Sequence, residues 1–362
     1  MIFISDWLSR LGRLVVTQPL SVEVAGCQDE YARSVGLRRL GLRVLWRKFL
    51  LILWGQSSRC VERLQPQWRK GLWIYARTAQ VGDSLMDLAC RNIYKDAGIQ
   101  IDLLTSKNLA EFYAGDAWFD RVSSSPQDFL EEHYDFIIIQ SVHHRALKAK
   151  VKFFKQVPWV CIQGFYDVPD FSRTEWGARR VFDLLGKSPA PEYFDYSALQ
   201  KSSVQSTQFQ TPSEIPLVIA VGGMDAVRTF KGWSALIQML ALDASFSEVV
   251  LIGAGESANL ASEEIMQLDI GGLKITSLVG KTTLADCFNI LKRAQLFVAA
   301  DGGLLHLAVA ASAKRIVSLF IVGIPPELRI PVNYRSDALT SASGDVNDIA
   351  VRAVANKIQA RI

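Results

Sequence analysis

Three short segments of this 362-residue chain place acids, bases and glycines where chemistry could use them. In "LFVAADGGLLHLAVAAS", Leu296 to Ser312, an apolar run stops at Asp301, crosses Gly302 and Gly303, and resumes as a small-residue helix bearing His306. Glycines at a helix start let a ligand approach the backbone, and the unpaired N–H groups at that positive end suit a phosphate. Asp301 beside it either caps the helix or accepts a ligand hydroxyl. His306, about one turn in, faces either the ligand or the core. In "VGGMDAVRTFKGWSALIQML", Val221 to Leu240, Arg228 and Lys231 precede an amphipathic helix. A lysine there either meets a diphosphate or is an ordinary solvated side chain. In "LWIYARTAQVGDSLMDLACRNIY", Leu72 to Tyr94, a strand ends near Arg77, a short loop holds Gly82 and Asp83, and a helix follows. Asp83 is a helix N-cap, a carboxylate able to take a proton from a substrate hydroxyl, or both.

The elements that must hold these residues follow from the apolar pattern. From Gly71 onward, short runs rich in Val, Ile and aromatics ("LWIYAR", "IDLLT", "DFIIIQ", "VPWVCIQG") alternate with stretches long enough for helices. That is the pattern of an α/β domain with a mainly parallel sheet. A second series begins with "LVIAVGG" and runs through "EVVLIGAG", "KITSLVG", "LFVAAD" and "RIVSLF". Between the two lies a stretch rich in Pro, Ser and Gln with little apolar periodicity, which reads as a linker. The expected organisation is a helical extension over 1–70, an α/β domain over 71–185, a linker over 186–214 and a second α/β domain over 215–362. Two such domains make a natural cleft, and ligands of open α/β sheets bind beyond the carboxyl ends of the strands.

Charge sets the extension apart. Between Arg33 and Lys70 stand ten Lys and Arg against Glu62 alone; that local +9, against +4 for the whole chain, leaves −5 for the remainder. An anionic partner is implied: a membrane, a nucleic acid or an acidic substrate. Within the extension, "VGLRRLGLRVLWRKFLLILWGQ", Val35 to Gln56, sets Leu, Val and Trp at helical spacing among Arg and Lys. It is either an interfacial helix with its apolar face in an anionic membrane, or a helix packed on the body with its basic face solvated. No apolar run reaches the roughly 18 residues of a membrane span. The first residues, "MIFISDWLSRLGRLVV", are broken by Asp6, Arg10 and Arg13 and make a poor signal peptide. Five scattered cysteines (27, 60, 90, 161 and 287) without a C-x-x-C pair fit a reducing compartment and give no disulfide framework or zinc site. The expectation is a soluble, cytoplasmic protein.

Two further motifs carry less. "GAGESA", Gly253 to Ala258, has the G-x-G-x-x-A form of a dinucleotide fingerprint, which raises a dehydrogenase. It does not follow the first strand of its domain, and the next strand ends without the acid that would hold a ribose. "VGKTT" around Lys281 lacks the first glycine of a phosphate loop, Ile275 standing in that place.

Taken in order, these segments resemble the bacterial heptosyltransferases of glycosyltransferase family 9. "D-G-G-L-L-H" resembles their D-[ST]-G-x-x-H signature, "VGD" their G-D element, and "KGW", Lys231 to Trp233, their K-x-W. The resemblance spans roughly residues 72–320 and implies a GT-B architecture: two Rossmann-like domains facing a central cleft, with the sugar nucleotide bound mainly by the second. By the same resemblance Asp83 is the general base and Lys231 neutralises the donor diphosphate. Asp301, Gly302, Gly303 and Leu304 cradle donor sugar and phosphates, with His306 on the donor side. Thr282, nineteen residues before Asp301, falls where the adenine is met, and Glu256 falls near a ribose-binding acid. The chain departs from the family where Gly302 replaces Ser or Thr, where "GAGE" is one residue longer than the usual "GAE", and in its basic extension. "HHRALKAKVKFFK", His143 to Lys155, is either a solvated basic helix or a surface for an anionic acceptor, through Arg145 and Lys148.

The implied activity is inverting transfer of heptose from ADP-heptose to a hydroxyl of the lipopolysaccharide inner core. No cofactor is expected. No metal is expected either, since lysine and a helix end can neutralise a diphosphate and the chain has no D-x-D. No nucleic-acid partner is expected, and peripheral contact with the inner face of the inner membrane would give the extension a purpose. The alternatives are heptosyl transfer to protein hydroxyls, a non-catalytic nucleotide-binding or scaffold protein of the same fold and, last, a dehydrogenase.

Overall fold

The structure, a computed structural model, describes residues 2–13, 35–76, 80–142, 144–165, 172–196, 214–242 and 246–360. Arg77, Cys27, His143 and most of the expected linker lie outside these. The chain forms two compact units, Met1–Gln80 with Met86–Gln200, and Val81–Leu85 with Lys201–Ile362.

The first unit opens with two helices, α1 (Ile2–Arg13) and α2 (Leu37–Leu53). Leu40 and Val44 of α2 pack with Leu11 of α1 and with Phe165, and Leu51 joins the core below. The α/β part then runs β1 (Lys70–Ile74), α3 (Val81–Asp87, whose residues up to Leu85 group with the second unit), α4 (Arg91–Asp96), β2 (Gln100–Leu104), α5 (Lys107–Tyr113), β3 (Val122–Ser123), β4 (Phe136–Ile139), α6 (His144–Phe153), β5 (Trp159–Cys161) and α7 (Arg173–Leu184). The sheet order is β3-β2-β1-β4-β5 and every pairing is parallel, with Trp73 opposite Ile138. Leu72, Ile74, Ile137, Ile139 and Trp159 fill one side of that sheet. These strands read as near-continuous apolar runs because a parallel sheet is covered on both faces.

The second unit continues β6 (Ile215–Ala220), α8 (Trp233–Leu242), β7 (Glu248–Ile252), α9 (Glu256–Met266), β8 (Lys274–Ser277), α10 (Leu284–Arg293), β9 (Ala294–Ala300), α11 (Gly303–Ala310), β10 (Ile316–Phe320), α12 (Val332–Arg335), β11 (Ala338–Thr340) and α13 (Val351–Gln359). Its order is β11-β10-β9-β6-β7-β8, again all parallel, with Ile219 opposite Val298. Leu217, Ile219, Leu251, Val298 and Val317 meet Trp233, Leu236 and Ile237 of α8 in its core. Read from β8 to β11, this is the doubly wound order whose direction reverses between β6 and β9. The corresponding reversal in the first unit lies between β1 and β4. At such a point the loops leaving two adjacent strands part to opposite faces and open a crevice for a ligand.

Candidate active site

In the second unit, the loop after β6 and the loop after β9 flank the reversal, and an ion pair joins them. Arg228 Nη1 lies 3.2 Å from Asp301 Oδ2, while its Nε donates to Asp225 Oδ2 at 3.2 Å. Asp301 is buried; its backbone N–H donates to the Leu319 carbonyl of β10, and His306 Nε2 stands 3.5 Å from its Oδ1. Burial alone would raise this carboxyl. The His306 imidazole and the Arg329 and Arg228 guanidinium groups outweigh it and hold Asp301 well below the usual carboxylate range. The Asp301 carboxylate beside the start of α11 is therefore already met by the groups around it.

This corrects two expectations. Asp301 does not cap α11; the N-cap position is Gly302, with no side-chain cap bond. Nor does Gly302 require its missing side chain. Its backbone is fully extended, and an added Cβ would meet only the Ala300 carbonyl at 3.8 Å. A hydroxyl-bearing residue would fit there. The close approach belongs to Gly303, where a Cβ would come within 3.0 Å of Val81 Cγ1 inside the same unit. Leu304 is half-buried in the first turn of α11 and His306 is buried one turn on. The N–H groups opening this helix have no carbonyl one turn earlier to bond.

Lys231 is exposed two residues before α8. Its backbone N–H donates to Asn347 Oδ1 at 2.8 Å, and Asn347 Nδ2 donates in turn to the Thr229 carbonyl at 3.1 Å. The loop's backbone is thus pinned while the ammonium stays in solvent. The adjoining loop is docked as well: Ser257 of α9 bonds both the N–H and the carbonyl of Gly223. Gly222, at φ 81°, leaves no room for a Cβ, which would fall 2.6 Å from Ala258. Glu256 is exposed at the first position of α9. Thr282 is half-buried just before α10 and accepts from the Cys287 thiol at 3.2 Å.

Asp83 is not the N-cap of its helix. It is half-buried at the third position of α3, in the first turn. One turn later the buried Asp87 ties the helix down, accepting from Tyr75 Oη at 3.0 Å and Gln163 Nε2 at 2.9 Å, with Arg173 Nη1 at 3.7 Å. Tyr75 and Gln163 follow β1 and β5, so the carboxyl ends of two strands fix the helix that carries Asp83. Sequence reasoning named neither Asp87 nor Arg329, and passed over Arg228 as a site residue. A second acid four residues after the first is a weak signal, and pairs 73 residues apart, such as Arg228 with Asp301, leave none.

Arg145 and Lys148 are exposed one turn apart on α6. The basic stretch they belong to is not wholly solvated, however. Lys150 is buried and donates to Gln56 Oε1 and to the Lys155 carbonyl. Burial, then the nearby Arg59, pushes its ammonium down from 10.5 to about 7. Between those values the unfolded chain binds a proton that the folded chain does not. Stability should therefore rise with pH across that window and fall as pH drops toward 7, by up to about 1.4 kcal/mol per pH unit. Urea unfolding at pH 7.5 and 9 would show the slope, and Lys150→Met should flatten it; an equal slope in the variant would assign it elsewhere.

Among the described residues no cluster of His, Cys, Asp and Glu is arranged to hold a metal ion, and no helix is long and apolar enough to cross a membrane. Residues 177–352 match the glycosyltransferase family 9 (heptosyltransferase) description. The fold is similar to E. coli ADP-heptose LPS heptosyltransferase II (17% identity over 80% of this chain and 98% of that one, TM-score 0.62). It is also similar to E. coli heptosyltransferase WaaC bound to ADP-2-deoxy-2-fluoro heptose (17%, 81% and 100%, TM-score 0.60). A family 9 glycosyltransferase from Veillonella parvula is similar at 12% identity (77% and 87%, TM-score 0.59). No curated protein sequence matches the chain.

Proposed function

We propose that this chain, whose residues 177–352 match glycosyltransferase family 9, the heptosyltransferases, transfers heptose with inversion from ADP-heptose to a hydroxyl of the lipopolysaccharide inner core. The observation that carries this reading is the reversal point between β6 and β9. There an exposed Lys231, on a loop pinned by Asn347, and the start of α11 follow adjacent strands. A lysine and a helix N-terminus supply positive charge for a diphosphate, which needs stabilising most as it leaves.

In this reading the acceptor hydroxyl attacks the anomeric carbon on the face opposite ADP and gives its proton to the Asp83 carboxylate. A carboxylate is a weak base at neutral pH, and it suffices when the hydroxyl loses its proton late, after positive charge has built up on the sugar. Lys231 and the α11 helix end meet the diphosphate without a metal. Asp301, Gly302, Gly303, Leu304 and His306 line the donor sugar and phosphates, while Thr282 and Glu256 meet adenine and ribose. The α/β part of the first unit, with Arg145 and Lys148 exposed on α6, takes the anionic acceptor. The basic extension holds the enzyme at the inner face of the inner membrane, where such an acceptor is presented.

Calorimetric titration with ADP, UDP and GDP, without added metal, tests the donor half. ADP should bind at least tenfold tighter than the others, and Lys231→Ala should weaken it by about tenfold or more, as expected for a lost charge-assisted contact. A preference for UDP or GDP would overturn the sugar assignment. No nucleotide binding at all would favour a scaffold protein on the same fold.

A further inference from the structure

Helix α2 is apolar on two opposite faces. Leu40, Val44 and Leu51 point inward and are buried. On the other side, Leu42, Trp46, Phe49 and Leu53 follow at intervals of four, three and four residues, which aligns them in one stripe. These four are 54%, 59%, 51% and 63% exposed, and Trp46 stacks on Phe49 at 5.6 Å. On α1, Ile4 and Trp7 are exposed one turn apart. A contiguous exposed apolar stripe of this kind marks a surface that something covers.

Charge selects the occupant. Helix α2 carries Arg38, Arg39, Arg43, Arg47 and Lys48 and no acid. On the helical projection Arg38 and Arg39 lie at the N-terminal end of the stripe and Arg43 along its margin. A second copy of the chain would bring these cations against their equals. An anionic lipid surface instead takes aromatic and aliphatic side chains into the acyl boundary and arginines among its headgroups. The stripe is about 17 Å long at the helical rise, so α2 would lie along the interface and leave its Leu40 face on the protein.

We propose that Leu42, Trp46, Phe49 and Leu53 form a membrane-seating face specific for anionic bilayers. This deepens the peripheral placement proposed above and does not depend on the transfer chemistry. The test is co-sedimentation of the full chain with vesicles of phosphatidylcholine alone and with about one third phosphatidylglycerol. The wild type should partition onto the anionic vesicles, and 0.5 M salt should weaken this. Trp46→Ser with Phe49→Ser should cut the partition coefficient by tenfold or more, and Arg38→Gln with Arg39→Gln by about tenfold. The four substituted positions, Trp46, Phe49, Arg38 and Arg39, are exposed, so the variants should keep the wild-type melting temperature. ADP titration of each variant separates loss of seating from loss of the donor site. Equal binding to both vesicle types, undiminished binding by the Trp46/Phe49 variant, or concentration-dependent dimerisation that this variant abolishes would each overturn the proposal.

Discussion

Asp83→Asn should lower kcat by about 10²- to 10⁴-fold while leaving ADP affinity within about twofold, the range a lost general base gives when binding is untouched. Asparagine keeps the size and hydrogen-bonding reach of aspartate but cannot accept the acceptor's proton. The backbone consequence is small. Asp83 lies in the first turn of α3, where removing a negative charge from the positive helix end costs about 0.3–1 kcal/mol. Asp87, with Tyr75 and Gln163, still holds the helix in place. The measurement is single-turnover transfer to a deacylated inner-core acceptor, with calorimetry of ADP on the same preparation. Turnover within tenfold of wild type would remove Asp83 from the chemistry. A parallel collapse of ADP affinity would show the variant damaging the donor site instead.

How much of this was legible beforehand depended on whether the information was local. Short runs rich in Val, Ile, Leu and aromatic residues announce parallel strands, and the nine strands so announced are all present. The edge strands β3 and β11, two and three residues long, are too short to carry a period; their pairing comes from the neighbour they extend. The helical spacing in α2 was plain, yet the pattern could not say which apolar side faced inward. It offers packing or a lipid surface as alternatives, and the helix has one buried apolar side and one exposed, with Val44 on the first and Trp46 on the second. At the helix starts, local rules misplace two acids, by three residues at Asp83 and by one at Asp301. Asp83 looks like a cap because it follows a loop glycine, but the helix begins at Val81. Asp301 looks like one because glycines follow it, but a carboxylate beside the Arg228 and Arg329 guanidinium groups and the His306 imidazole gains more from those partners than from a backbone N–H. Those partners come from loops after other strands, and only the sheet order brings them together.

That cluster makes Asp301 the residue whose loss should cost the fold most within the site. Asp301→Ala should destabilise the second unit by about 3 kcal/mol, the lower end for breaking a buried ion pair, because Arg228 is partly open to solvent. The pH dependence tells this apart from a simple packing loss. The folded carboxyl sits below its ordinary value of 3.8, so its contribution is fully present above that value and is lost as pH falls through and below it. Wild type and Asp301→Asn should therefore differ by a constant amount from pH 7 to about 5, and the gap should begin to narrow as pH falls below 3.8 toward about 3 in urea unfolding. A gap that stays constant to pH 3 would mean the charge is not the source. Arg228→Gln supplies the second leg: if the two residues act as a pair, the double variant should lose about 1–2 kcal/mol less than the sum of the single losses. Strict additivity would leave Asp301 held by His306 and Arg329, and Arg228 free to serve the donor diphosphate directly.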